Sequence, residues 1–131
     1  MFATVFILLY VAHLLADFAL QTDRQASLKA DRSAAGWWAN LSHAATHVIA
    51  CAVALAVGTA ALDGMHLPVV RTVAALAWIG SSHGLIDRRW LIAWWMDHTG
   101  SAAFRERGGA AYVDQTAHVL ALAVAALVIS A

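Results

Sequence analysis

The sequence predicts an all-α, polytopic membrane protein: one four-transmembrane-helix bundle with a histidine and aspartate cluster inside it. Three observations lead there. The 131 residues are 62% hydrophobic and only 12% charged, whereas soluble domains are about one quarter charged. The apolar residues gather into four runs, each long enough to cross about 30 Å of hydrocarbon as a helix rising 1.5 Å per residue. Each run also carries two ionisable side chains spaced four residues apart.

The first helix is expected over about residues 2–21, within "MFATVFILLYVAHLLADFALQ". It lacks the basic start of a secretory signal and reads as a retained span. The second, over 36–62, is "GWWANLSHAATHVIACAVALAVGTAAL". The third, 67–87, is "LPVVRTVAALAWIGSSHGLID", with Pro68, the chain's only proline, in its first turn. The fourth, 110–131, is "AAYVDQTAHVLALAVAALVISA", entered through Gly108 and Gly109. The stretch "RRWLIAWWMDH" (88–98) reads either as a short interfacial helix or as an extension of the third span. Residues 22–36 are polar with mixed charge and read as a solvated connection.

No proline- or serine-rich linker divides the chain, so residues 1–131 form a single domain. Cys51 has no partner for a disulfide and reads as packing. The formal charge is zero, which gives no electrostatic support for a nucleic-acid partner. Membrane lipid is the expected surrounding partner.

Basic residues set the expected orientation. Arg24, Lys29 and Arg32 lie between the first two spans, and Arg88, Arg89, Arg105 and Arg107 between the last two; only Arg71 falls elsewhere. Since lysine and arginine are retained on the cytoplasmic side, loops 22–35 and 88–109 are expected in the cytoplasm, with both termini outside an inner or plasma membrane. Trp37, Trp38, Trp90, Trp94 and Trp95 cluster at the same ends, where amphipathic rings favour the headgroup boundary.

The paired residues are His13 and Asp17, His43 and His47, His83 and Asp87, and Asp114 and His118. A spacing of four puts both members of a pair on one helix face. In an antiparallel bundle every pair also lies near a cytoplasmic helix end, most of them within about 15 Å of that edge. They should therefore converge. A charged group at membrane depth costs roughly 3 kcal/mol or more unless compensated, and no lysine or arginine is expected at that level.

Divalent metal is then the expected compensation, and all eight residues are candidate ligands. Imidazole nitrogen and carboxylate oxygen suit zinc first, with iron or manganese as alternatives. Three aspartates balance two divalent ions and one hydroxide, so the tally predicts a dinuclear site. Gln21 and Gln115 flank the cluster as candidates for orienting ligands or substrate. Gly80 and Gly84 form a small-residue motif for close packing within the bundle or against a second subunit in a homo-oligomer.

Together "HLLADFALQ", "HAATH", "HGLID" and "YVDQTAHVL" resemble the small bacterial and phage membrane proteins grouped as domain of unknown function 3307. The resemblance covers nearly the whole chain and implies no assigned reaction. A weaker likeness, in small size and intramembrane His/Asp motifs, runs to proteins labelled membrane-bound metal-dependent hydrolases. The expected function is a metal-dependent hydrolase at the cytoplasmic leaflet, acting on a lipid or lipid-linked substrate. Two alternatives stay open: a di-iron oxygenase-like enzyme, and a non-enzymatic divalent-metal carrier or sensor.

Overall fold

A computed structural model describes residues 1–131 and is helical throughout. In chain order the helices are α1 (Phe2–Leu14), α2 (Asp23–Leu28), α3 (Ala34–Ala61), α4 (Val69–Ile86), α5 (Trp90–His98), α6 (Ala102–Phe104) and α7 (Ala110–Ser130). Two π-turns extend this set, Leu15–Ala19 after α1 and Arg105–Gly109 before α7. Four segments are long and apolar enough to cross a membrane: Phe2–Ala19, Ala34–Ala61, Val69–Ile86 and Ala102–Ser130.

The four long helices close into a ring in which α1 and α4 each pack on both α3 and α7. Its interior has two halves. Toward the chain termini, Val5, Leu9, Leu55, Ile79, Leu122 and Ile129 make a dry apolar core. Toward the loops, the interior is polar. Ten of the thirty buried residues are polar or charged, while Ile7, Val11, Val53, Val70 and Leu120 lie exposed. Soluble proteins bury charges far less often than this. An apolar exterior around a polar interior matches a bundle whose solvent is hydrocarbon.

Close approach of α3 and α4 depends on Gly80, where an added Cβ would meet Val48 Cγ2 at 2.8 Å. The small-residue motif thus serves packing within the bundle. Trp78 on α4 also ties to α7, its Nε1 donating to the Ala121 carbonyl at 2.9 Å.

The loop end is more ordered than a solvated connection. Thr22 caps α2 through a capping box with Gln25, and Ser33 caps α3 by accepting from Gly36 N at 3.1 Å. Between them Asp31 Oδ1 accepts from Ser33 N at 2.7 Å, which holds this exposed carboxyl below its ordinary range. Residues 88–98 resolve into a separate helix, α5, rather than an extension of α4. The break is Arg89, whose φ of 61° is left-handed; further turns to positive φ fall at Gly100 (φ 78°) and at Gly108 (φ 87°), the latter just before α7.

Candidate metal centre

Each pair sits where its helix reaches the polar half. His13 is in the last turn of α1 and Asp17 lies in the π-turn that follows. His43 and His47 lie in the third and fourth turns of α3, His47 about midway along it. His83 is in the last turn of α4, and Asp87 caps it. Asp114 and His118 open α7. All eight candidate residues meet in one volume.

Asp17 is the hub. Its Oδ1 lies 3.1 Å from both His43 Nε2 and His47 Nε2, and its Oδ2 is 3.3 Å from His13 Nε2. Asp87 is a second hub, with Oδ2 3.1 Å from His83 Nε2 and 3.5 Å from His43 Nε2, and Oδ1 3.8 Å from His118 Nε2. The imidazoles pack against one another, the His47 and His83 ring centroids being 3.5 Å apart. His13 also meets His47, Nδ1 to Nδ1, at 3.3 Å.

The single Nε2 proton of His43 cannot serve both carboxylates that face it. His43 Nδ1, Asp114 Oδ1 and His118 Nε2 are buried without any hydrogen-bond partner, and His83 Nε2 and Asp87 Oδ2, although 3.1 Å apart, are not aligned as a hydrogen bond; buried polar atoms are nearly always satisfied. His118 Nδ1 is committed to the Asp114 carbonyl, 3.0 Å away. If Nδ1 carries the proton, Nε2 presents a bare lone pair, the arrangement found in metal-ligating histidines.

The spacing also fits an ion. Bonds of about 2.1 Å, tetrahedral or octahedral, set neighbouring ligand atoms about 3.0 to 3.4 Å apart. The contacts around Asp17 Oδ1 have that spacing. Two sets of donors gather tightly enough to hold a metal: Asp17, His43, His47 and His83, and then His83, Asp87 and His118. His83 belongs to both sets. His13 and Asp114 fall just outside them, His13 against Asp17 and Asp114 against His118, with Asp114 Oδ2 3.5 Å from His118 Nδ1.

Both glutamines touch Asp17. Gln115 Nε2 donates to Asp17 Oδ2 at 3.1 Å, and its Oε1 faces His13 Nε2 at 3.4 Å. Gln21 Nε2 donates to the Asp17 carbonyl at 2.9 Å, a group the end of the helix leaves without a partner.

Lys29 corrects the expectation that no protein cation reaches this depth. Its Nζ is 3.0 Å from Asp87 Oδ1, and its side chain is only 9% exposed. The physical cause lies in two steps. The α2 turn folds back over α3, and buried Arg88 donates from Nη1 to the Lys29 carbonyl at 3.0 Å while stacking 4.1 Å from the Trp37 ring. Sequence reasoning places Lys29 in a polar loop. Only the long aliphatic stem beside a cluster of carboxylates hints that it could reach inward.

A family model described as "Protein of unknown function (DUF3307)" matches residues 5–131. The chain belongs to the DUF3307 family. No curated protein and no solved structure matches it. In this DUF3307 protein the buried histidine and aspartate cluster is the feature that carries chemistry.

Proposed function

We propose that this protein is an integral membrane metalloprotein, a metal-dependent hydrolase whose site opens at the cytoplasmic leaflet. The observation that carries the reading is the convergence of His43 Nε2 and His47 Nε2 on Asp17 Oδ1, both at 3.1 Å, beside the unpartnered Nε2 of His118. Asp17, His43, His47 and His83 would hold a divalent ion, with zinc favoured by the nitrogen-rich donor set and iron or manganese as alternatives. Seven of the eight basic residues lie at the loop end of the bundle, which supports a cytoplasmic placement of that end.

Lys29 changes the charge tally. Three ionised aspartates and one ammonium leave two net negative charges, which a single divalent ion neutralises. The dinuclear expectation rests on a tally without that ammonium. One tightly held ion is the reading we adopt, with Lys29 supplying at Asp87 the positive charge a second ion would bring.

When bound, the ion supplies Lewis acidity toward a phosphoryl or acyl oxygen and acidifies water. The chain's own groups do the rest. Gln115 and Gln21 fix Asp17 from its carboxylate and carbonyl sides. Asp114, whose side chain is 20% exposed and lines the cavity beside the cluster, is placed to accept a proton from water at its carboxylate. The apolar core of Leu9, Leu55, Ile79 and Leu122 closes the other half of the bundle. That closure supports an enzyme or sensor over a carrier, which needs a polar path to both sides.

The test is element-resolved metal analysis of protein purified in mild detergent without chelator or affinity nickel. One zinc, iron or manganese ion per chain is expected, lost in Asp17→Ala and in His47→Ala. A folded wild type that stays metal-free after reloading with each ion would overturn the reading. Iron with an optical signature of a coupled pair would move the assignment to the oxygenase alternative.

A further inference from the structure

Beside the cluster lies a cavity of about 790 Å³ that shares Asp17, Asp114 and Gln115 with it. Its lining also carries three cationic side chains, Lys29, Arg89 and Arg105. Two of these have partners: Lys29 pairs with Asp87 at 3.0 Å and Arg105 Nε with Asp97 Oδ1 at 2.7 Å. Arg89 has none. It makes no ion pair or side-chain hydrogen bond, and its backbone sits at φ 61°, a conformation that L side chains rarely adopt. Strained residues of this kind gather where a side chain must be aimed at a ligand.

The rim adds a second character. Phe18 and Tyr112, 73% and 72% exposed, flank the opening together with Ile92. A small water-soluble anion would use the arginine but gain nothing from this rim. An amphiphile with an anionic head uses both. Arginine binds phosphate oxygens through a planar fork of donors, and a chain bearing that headgroup would lie along the exposed aromatic side chains.

We propose that this cavity binds the phosphate headgroup of a lipid, with Arg89 as its principal contact and Phe18 and Tyr112 against the chain. The inference rests on the hydrolase reading for its catalytic meaning, since it names a phosphorylated lipid as the substrate class. As a binding site it stands without the metal. In the reaction this implies, water adds to phosphorus as the P–O bond to the lipid alcohol breaks, one water proton passes to Asp114 while the other stays on the phosphate, and Asp114 returns its proton to the leaving alkoxide to give the alcohol. No oxidant or second substrate is needed.

Native mass spectrometry in an uncharged detergent tests it, using a diacyl lipid with a phosphomonoester head, the matching neutral diacylglycerol, and glycerol 3-phosphate as soluble probe. Metal content is read in the same spectra, on metal-loaded and on chelator-treated protein. One phosphomonoester lipid per chain is expected in both forms. Arg89→Gly, which relieves the left-handed backbone while removing the guanidinium, should weaken that binding by at least about tenfold with metal content unchanged. Arg89→Gln should do the same, and Arg71→Gln, at the other end of the bundle, should not. Equal binding of the neutral lipid, or undiminished binding in a folded Arg89→Gly protein, would overturn the proposal. Glycerol 3-phosphate binding as tightly as the lipid would overturn the lipid assignment and reassign the cavity to soluble phosphate esters. A protein that binds the lipid but never metal would sink the hydrolase reading and leave this site standing.

Discussion

Lys29 and Asp87 form a buried ion pair at 3.0 Å that joins the α2 turn to the end of α4 and places a fixed positive charge inside a cluster of histidines and carboxylates. Such a pair is costly to break from one side, because the remaining charge is left buried and unpaired.

Lys29→Met keeps the stem and deletes the charge. In chelator-treated protein the variant should lose roughly 3 kcal/mol of stability, the low end for breaking a buried pair, read as a lower melting temperature in detergent. With metal supplied, the charge deficit can be filled by an ion instead. Bound divalent metal should then rise from one per chain toward two, as His83, Asp87 and His118 become a second site. Element analysis of the same preparation checks this, and an unchanged stoichiometry would show that Lys29 does not stand in for an ion.

Gln115→Leu probes how Asp17 is oriented. The Gln115 amide fixes Asp17 Oδ2 at 3.1 Å and leaves Oδ1 to the two histidines of α3. Removing such an orienting hydrogen bond weakens metal binding by about 10- to 100-fold in known sites. Competition with a chromophoric chelator should show a loss in that range with the helix content intact. Asp17→Asn, which keeps the shape but removes the charge and turns one oxygen into a donor, should lose more than Gln115→Leu.

Much of this arrangement is legible in the sequence, for a physical reason. A spacing of four residues is close to the helical repeat of about 3.6, so His43 with His47 and His83 with Asp87 must share a face, and four antiparallel helices bring four such faces to one end. The limits of the long apolar helices also follow from hydropathy, with α3 observed at Ala34–Ala61 against 36–62 expected. What escapes is set by tertiary context. Lys29 looks like a loop residue until Arg88 clamps its carbonyl. The left-handed Arg89 and the π-turn holding Asp17 leave no mark in composition, although π-turns often accompany functional positions. Nor does spacing say which ligands share an ion: His83 falls in both donor sets, while His13 and Asp114 fall in neither.

Gly80 sets the distance between the two helices that supply His47 and His83. A Cβ there would stand 2.8 Å from Val48 Cγ2, so either the Val48 side chain or the α3–α4 spacing must shift to admit one. Gly80→Ala should cost about 1 to 3 kcal/mol, the usual range for overpacking, and Gly80→Leu more. Because His47 and His83 stack at 3.5 Å, parting the helices should also weaken metal binding. Thermal melting and metal content measured together on both variants check the coupling. Destabilisation with metal affinity unchanged would show that the cluster tolerates the shift.

Metal removal should loosen one half of the bundle and spare the other. The apolar core of Val5, Leu9, Leu55 and Ile129 contains no ligand, whereas the polar half would lose its compensating charge and return the unpartnered atoms of His43 and His118. Proteins open locally where buried contacts fail, without unfolding throughout. Hydrogen exchange on chelator-treated protein should therefore speed up across residues 13–21, 40–47, 83–89 and 114–118, while 50–57 and 121–129 keep their protection. Readdition of the ion should restore the slow rates in the wild type but not in His47→Ala. Uniform loss of protection along all four helices would mean that the ion holds the whole fold, and no change anywhere would mean that hydrogen bonds alone satisfy the cluster.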